Sequence, residues 1–305
     1  QNLEYDYLQY IESDDKVTCY DVEQKGGSND FLVTGYFSGS MVFNGSQINP
    51  PINRGTSDLF VSILDSTKHW TGVNTVGSTG SFRPKDILHH QNEFFVLGEG
   101  ILDQTNPAIV TPSQDQYGHG FGDTDIVILY VGNDGIIKDI QPIGTEGKDG
   151  SGEIEFFSTT SIVFSGYLGD EYSFNNSTIG VENTNNFFGG IYDFDAKIVT
   201  FAFSSDGSQE SDARANTAVV LSNDSFYLGG RAEPFESTIH SIEVEGSEES
   251  AVGIVFSIDS DSDDISDVAD NCIFNYNPNQ SDFDLDGQGD ACDSDIDSDG
   301  VEAAA

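Results

Sequence analysis

The sequence predicts an all-β chain, and two observations carry that prediction. Short runs rich in Phe, Tyr, Val, Ile and Thr stand between Gly, Asn, Asp and Ser turns, and helical periodicity is nearly absent. Strand-like words also recur at a nearly constant interval. The sequence therefore predicts a β-repeat domain at residues 1–258, followed by an irregular acidic segment at residues 259–302.

The first recurring word is a short apolar strand that ends in glycine. Its copies end at Gly35, Gly98, Gly166 and Gly230, which lie 63, 68 and 64 residues apart. A second word recurs at residues 59–65, 126–132, 187–193 and 253–259, with spacings of 67, 61 and 66 residues. Two independent words with one interval indicate four copies of a duplicated unit of about 65 residues.

The order of the words predicts how the repeats close. Residues 5–13 align with the strand that comes after the second word in the other repeats, so the first repeat lacks its opening strand. Residues 253–259 would supply that strand from the far end. Because a β-propeller closes in this way without a long exposed sheet edge, we predict a four-repeat propeller. Additional hairpins are expected at residues 41–48 and 172–179.

Two stretches are similar to bacterial propeller repeats. They are SDLFVSILDSTKHW at residues 57–70 and FLVTGYFSG at residues 31–39. The resemblance covers most of residues 1–258 and is loose in the third and fourth repeats, where the Trp position is not aromatic. It implies a secreted or cell-surface interaction module rather than an enzyme.

The acidic segment places aspartates in a fixed register. Calcium loops offer carboxylates at positions 1, 3, 5 and 12 and a backbone carbonyl at position 7, with glycine at position 6 for the turn. The second loop, residues 282–293, matches every position and has Gly287 at the sixth. Its predicted calcium ligands are Asp282, Asp284, Asp286, the carbonyl of Gln288 and Asp293.

Two further loops share the same register. The first loop, residues 259–270, carries Asp264 where the turn calls for glycine. The third loop opens at Asp295 and stops after Gly300, before its last ligand, so we expect the array to continue. The predicted ligands of these loops are Asp259, Asp261, Asp263, the carbonyl of Ile265, Asp270, Asp295, Asp297 and Asp299. The alternative is a disordered acidic tail.

The words between the loops add a resemblance. DNC at residues 270–272, NPNQ at 277–280 and GDACD at 289–293 join the aspartates into a pattern that resembles the thrombospondin type 3 repeat over residues 259–293, with one departure at Asp264. The resemblance implies a segment with almost no hydrophobic core, wrapped around calcium ions at the named aspartates. It also implies a Cys272–Cys292 disulfide.

Charge and cysteine content restrict the partners and the compartment. The 305-residue chain has 53 acidic and 11 basic residues, a formal net charge of −42, which would repel nucleic acid and anionic membrane surfaces. No apolar run reaches the length of a membrane span, so no direct membrane insertion is expected. Two cysteines placed to form a bridge indicate an extracellular or cell-surface location. A start at Gln1 fits an exported chain whose signal peptide has been removed, and Cys19 is expected to be a buried, inert thiol.

No catalytic constellation stands out from the acidic background. His89 and His90 are adjacent, so in a strand they point to opposite faces and cannot share a metal. Trp70 is expected to pack within the repeats rather than stack on a sugar. Residues 117–123 (YGHGFGD) precede a predicted strand rather than link a strand to a helix, which favours a long loop over a phosphate site.

We therefore expect a non-enzymatic, secreted or cell-surface calcium-binding protein. Its propeller would be an adhesion module held out by a calcium-stiffened spacer, and its partner a glycan or another cell-surface or outer-membrane protein. Two alternatives remain at this point. One is a secreted polysaccharide-degrading enzyme, and the other is a structural subunit of an extracellular assembly.

Overall fold

The computed structural model confirms an all-β chain, with no helix among the residues it describes. Nothing in that part of the chain has the helical length and apolarity needed to cross a membrane. The described residues are 8–44, 53–78, 80–102, 108–111, 116–117, 120–174, 177–182, 184–205, 212–232, 237–239, 242–244, 250–267 and 269–298.

The described residues form 23 strands. These are β1 (Ile11–Ser13), β2 (Lys16–Gln24), β3 (Phe31–Ser38), β4 (Met41–Phe43), β5 (Asp58–Leu64), β6 (Trp70–Gly77), β7 (Phe82–His90), β8 (Glu93–Gly100), β9 (Ala108–Thr111), β10 (Gln116–Tyr117), β11 (Asp125–Gly132), β12 (Ile137–Ile143), β13 (Gly150–Phe156), β14 (Ser161–Leu168), β15 (Tyr172–Phe174), β16 (Ser177–Ile179), β17 (Asn186–Asp193), β18 (Ile198–Ser204), β19 (Ala213–Ser222), β20 (Ser225–Ala232), β21 (Ser237–Ile239), β22 (Ile242–Val244) and β23 (Ser250–Ser257).

Four sheets repeat one antiparallel meander. The first sheet has the order β10-β9-β6-β5-β3-β2, the second β12-β11-β8-β7, the third β13-β14-β17-β18 and the fourth β19-β20-β23. In each of the first three sheets the two recurring words are adjacent strands within the meander, such as β3 and β5. Three two-stranded ribbons accompany the sheets, and one of them, β15–β16, confirms the hairpin predicted at residues 172–179.

The predicted closure, in which residues 253–259 complete the first sheet, is wrong. Strand β23 belongs to the fourth sheet beside β20, and the described sheets are separate, without a closed barrel. The first repeat supplies its own edge strand, because β2 pairs with β3. The described end of the entering stretch, β1, pairs with β4. The hairpin predicted at residues 41–48 stays a prediction, because residues 45–48 lie outside the described residues.

The glycine that ends the first word allows two strands to approach closely. A Cβ at Gly35 would lie 2.0 Å from the carbonyl oxygen of Thr18, and one at Gly230 would lie 1.9 Å from that of Arg214. Gly98 and Gly166 meet the opening strands of their sheets in the same way. In the first three sheets that opening strand bulges beside the glycine, so the recurring glycine marks a tertiary contact rather than a turn.

Consecutive sheets are joined at one repeated position. A backbone N–H at the start of one sheet donates to a carbonyl just before the second word of the preceding sheet. The three bonds run from Phe82 to Ser57 (2.8 Å), from Asp149 to Thr124 (2.7 Å) and from Ala213 to Asn185 (2.8 Å). The duplication seen in the sequence is therefore repeated in the contacts between sheets.

The apolar residues of the words form the core between sheets. One buried cluster draws on the first and second sheets, and another draws on the second and third. Trp70 is 8% exposed and packs against Phe43, with ring centroids 5.3 Å apart, which confirms the prediction for Trp70. His89 contacts Phe94 while His90 contacts Phe156 and Phe194, as expected for side chains on opposite faces.

Cys19 is exposed, which corrects the prediction of a buried thiol. It lies in β2, an edge strand of the first sheet, at the place where that strand bulges. An edge position leaves one side of the strand uncovered. Partial desolvation nevertheless raises the pKa of the thiol, so this cysteine is accessible but not activated.

Contacts divide the chain into two compact units. The larger contains residues 1–219 and 228–253, and the smaller contains residues 220–227 and 254–305. In the smaller unit Phe226 stacks on Phe256 with ring centroids 5.0 Å apart. The N–H of Ile258 donates to the carbonyl of Asp224 at 2.8 Å, so the acidic segment begins directly from a hydrogen-bonded pair of strand ends.

Candidate metal centre

The first loop gathers its leading aspartates. Carboxylate oxygens of Asp259, Asp261 and Asp263 lie within 4.8 Å of one another. Asp259 accepts hydrogen bonds from the backbone N–H of Ser262 at 2.8 Å and of Asp264 at 3.0 Å. These bonds bend the backbone around the first carboxylate, and alternate positions then point their carboxylates to one side.

The second loop repeats this arrangement position for position. Oxygens of Asp282, Asp284 and Asp286 also lie within 4.8 Å of one another. Asp282 accepts from Leu285 N–H at 2.8 Å and from Gly287 N–H at 3.1 Å, at the fourth and sixth places as in the first loop. Two separate stretches that fold alike around their carboxylates argue against a disordered acidic tail for the described part of this segment.

The sixth position has the same backbone in both loops. Gly287 has φ +97°, and Asp264 at the equivalent place has φ +72°. Aspartate enters this left-handed region more easily than most residues because its side chain is short and polar. The departure at Asp264 therefore keeps the turn of a calcium loop, which the sequence alone left in question.

Several oxygens of the first loop are shielded from solvent and have no hydrogen-bond partner among the described residues. They are Oδ1 and Oδ2 of Asp261 and Oδ2 of Asp270. Partial desolvation and the charges of Asp263, Asp270 and Asp259 raise the pKa of Asp261. Shielded carboxylate oxygens without donors are costly unless a cation pairs with them, and calcium takes six to eight such oxygens. The donor set fits calcium.

The seventh and twelfth positions are also fixed alike. Asp263 accepts from Ile265 N–H at 2.8 Å, and Asp286 accepts from Gln288 N–H at 2.7 Å. At the twelfth place Asp270 accepts from Cys272 N–H and Asp293 from Asp295 N–H, both at 2.8 Å. The predicted ligands Ile265, Gln288 and Asp293 are thus held in register, although they lie outside the two converging groups.

The third loop is described only at its start. Ser298 stands at its fourth place with φ +52°, close to the values of +63° for Ser262 and +62° for Leu285 at the same place. The Ser298 hydroxyl donates to Asp284 of the second loop. Asp295 and Asp297 therefore belong to a loop that begins like the others, and the predicted ligand Asp299 lies outside the described residues.

Two aspartates that the ligand prediction passed over also hold the loops together. Asp267 accepts from Ser260 N–H at 2.7 Å, and Asp290 accepts from Phe283 N–H at 2.8 Å. Both stand at the ninth place of their loop and reach back to the second. Because an aspartate stands at the ninth place in both copies, the sequence pattern could have identified these two residues.

The words between the loops form a small polar core closed by a disulfide. Cys272 and Cys292 are bridged, with Cα atoms 5.6 Å apart, as the resemblance implied. Asn271 N–H donates to Oε1 of Gln280 at 2.9 Å. The N–H of Asn277, a residue only 6% exposed, donates to Oδ2 of Asp263 at 3.0 Å. A residue of the NPNQ word therefore holds one carboxylate of the first loop in place through a backbone hydrogen bond.

Comparison with known proteins identifies part of this segment. A family model described as the thrombospondin type 3 repeat matches residues 281–304. Thrombospondin type 3 repeats bind calcium, and such repeats and disulfides are typical of extracellular proteins. The matched range contains the second loop and the start of the third, and the shared hydrogen bonds extend the same local structure to residues 259–270. No curated protein matches the chain.

Proposed function

We propose that this chain is an extracellular or cell-surface calcium-binding protein in which calcium stiffens the acidic segment into a spacer. The observation that carries the proposal is the set of shielded, donor-free oxygens of Asp261 and Asp270 beside Asp259 and Asp263. The matching group of Asp282, Asp284 and Asp286 supports the proposal that the chain binds more than one ion.

The proposed mechanism derives from charge and packing. Clustered carboxylates repel one another, and bound calcium would supply the positive charge that offsets this repulsion. The chain's own residues prepare the loops for that role. Asp259 and Asp282 bend the backbone, Asp267 and Asp290 tie the ninth place to the second, and the disulfide joins one loop to the next.

For the β-repeat domain we propose a propeller-type array that acts as a non-enzymatic interaction module. Its support is the recurrence of one meander in successive sheets and of one hydrogen bond between them. The proposed partner is a glycan or another cell-surface protein, because the charge of −42 opposes binding to nucleic acid or anionic membranes.

Calorimetric titration with calcium, together with small-angle scattering, tests the spacer. We expect several ions to bind per chain, and the chain to be stiffer with calcium than with a chelator. Asp261→Asn should weaken binding, whereas the matched change Asp264→Asn, at an exposed position outside the converging carboxylates, should leave it nearly unchanged. Equal stiffness in calcium and in chelator would contradict the proposal.

A further inference from the structure

A cavity of about 280 Å³ opens between the second and third sheets. Its lining combines four aromatic rings with four charged side chains and one amide. The lining residues are Phe95, Ile128, Tyr130, Lys138, Asp139, Gln141, Tyr192, Phe194, Asp195 and Lys197. All of them come from two neighbouring repeats of the larger compact unit.

The corresponding place between the first and second sheets is bridged. There the side-chain amide of Asn74 in β6 donates to the carbonyl of Gly135, in the next sheet, at 2.9 Å. The equivalent residue in β12, counted from the first residue of the second word, is Gln141. Its amide instead donates to Oδ2 of Asp139 in its own strand at 3.2 Å. The bridge that joins the earlier pair of sheets is therefore not repeated by Gln141.

The residues around this opening differ in kind from their equivalents in the earlier junction. Ile63, Gly72 and Ile136 of that junction correspond to Tyr130, Asp139 and Lys197 here, and Asn133 corresponds to Phe194. Two isoleucines, a glycine and an asparagine are thus replaced by aromatic or charged side chains at four places around one cavity. Such a combination is typical of a ligand site rather than of sheet packing.

The aromatic rings are held by one another and present fixed walls. The ring of Phe95 lies 4.6 Å from that of Phe194 and 5.3 Å from that of Tyr130, measured between centroids. Phe95 and Tyr192 are almost fully buried, whereas Tyr130 and Phe194 are half-buried. The two half-buried rings are the ones available to a ligand.

The charged rim is close to neutral. Lys138 pairs with Glu93 at 2.9 Å and Lys197 pairs with Asp139, and Asp195 adds one further carboxylate. The hydroxyl of Tyr130 also donates to Glu93. The rim thus offers both donors and acceptors but no excess of positive charge, which disfavours an anionic ligand in a chain of net charge −42.

We propose that this cavity binds one ring of a neutral pyranose sugar. The C–H face of the sugar would lie against Tyr130 and Phe194, and its hydroxyls would bond to Gln141, Asp139 and Lys197. The volume of about 280 Å³ is near the lower limit of small-ligand pockets, about 300 Å³, which favours a single ring. This assignment rests on the proposed interaction function and names its ligand class and place.

Saturation-transfer NMR and titration calorimetry on the full chain in saturating calcium test the site. The probes are neutral tetrasaccharides of glucose, mannose and galactose, with oligogalacturonate as the anionic comparison. We expect at least one neutral probe to bind, with the strongest transfer to its C–H protons, and oligogalacturonate to bind more weakly.

Three variants locate the binding. Gln141→Ala should weaken affinity about tenfold through loss of hydrogen bonds to the sugar, and Phe194→Ala should weaken it at least as much. Asn74→Ala, the matched change at the earlier junction, should stay within about twofold of the parent. Gln141 is only partly buried on strand β12, so its variant remains informative if Phe194→Ala fails to fold.

The inference is overturned if no neutral probe binds, if oligogalacturonate binds more tightly, or if Gln141→Ala binds as well as the parent. Calcium titration of the same preparations, after their calcium has been removed with a chelator, separates the two proposals. A chain that binds calcium and stiffens but binds no sugar refutes only the cavity assignment. A chain that binds sugar but shows no calcium response refutes only the spacer.

Discussion

Asp264 and Gly287 occupy the same place in successive loops and share a left-handed backbone, with φ of +72° and +97°. Each donates its N–H to the first aspartate of its loop, at 3.0 Å and 3.1 Å. The geometry of this hydrogen bond is thus the same with and without a side chain at the sixth position. The conformational energy of the backbone does depend on the side chain, because glycine alone enters the left-handed region without steric cost.

Gly287→Ala should destabilise the acidic segment by about 1 kcal/mol. A Cβ at Gly287 would meet no atom within 4 Å, so the cost is backbone strain rather than a clash. Asp264→Gly should have the opposite effect on stability and should raise the melting temperature of the segment in calcium. Thermal melting of both variants in saturating calcium measures this, and an unchanged Gly287→Ala would contradict the shared turn.

Asp261→Asn should reduce calcium affinity roughly tenfold or more, because charge count sets the affinity of such loops. The same change should stabilise the segment in chelator, since it removes one of four mutually repelling carboxylates. Calorimetry in calcium and melting in chelator give the two readings. Opposite shifts in the two conditions identify a cation site, whereas a loss of stability in both would indicate a structural role alone.

Buried carboxyl groups should make the β-repeat domain less stable as pH rises. Asp125 is 0% exposed at the start of β11, and burial raises its pKa to about 7, with a further contribution from the carboxylate of Asp149. Burial likewise raises the pKa of Asp58 to about 7 at the start of β5. A folded-state pKa above the unfolded value favours the neutral form, so this stability is fully present below about pH 4 and is lost progressively as the pH rises to about 7.

In the third repeat, the position equivalent to Asp125 is occupied by the neutral residue Asn186. Asn186 stands at the start of β17, is 0% exposed, and accepts from Val181 N–H at 3.1 Å, as Asp125 accepts from Phe121 N–H at 3.1 Å. Asp125→Asn should therefore stabilise the domain at pH 8 by about 2 kcal/mol and change it little at pH 4. Melting across this range tests the prediction, with the exposed Asp134→Asn as control; equal shifts at both pH values would refute it.

Reduction of the Cys272–Cys292 bridge should destabilise the acidic segment by about 3 kcal/mol, the amount expected for closing a loop of this length. The bridge spans 20 residues and joins the end of the first loop to the second. Cys272→Ser with Cys292→Ser should reproduce the loss, and both should weaken calcium binding. The control is Cys19→Ser, an exposed position outside the segment; the prediction fails if reduction leaves melting and calcium affinity unchanged.

Local pattern was sufficient for much of the chain. Residues close in sequence determine the all-β class, the positions of the two words, the calcium register and the cysteines of the bridge. Over such short distances, period and spacing directly constrain the backbone. The resemblance that implied the disulfide rests on words such as NPNQ, whose Asn277 supports Asp263 from 14 residues away. The ninth-place aspartates recur at the same position in both loops, but their role in tying that place to the second is visible only in the folded chain.

Sequence by itself determined that this chain is a β-repeat array followed by calcium-type loops, because strand alternation and ligand spacing are properties of a few consecutive residues. Tertiary structure decided which strand pairs with which. Residues 253–259 carry the pattern of a closing strand, but β23 pairs with β20 in the fourth sheet. The edge of the first sheet that was predicted for residues 253–259 is occupied by β2. Tertiary structure also exposed Cys19 and opened the cavity beside Phe194, because strand pairing, burial and gaps between sheets depend on groups far apart in sequence.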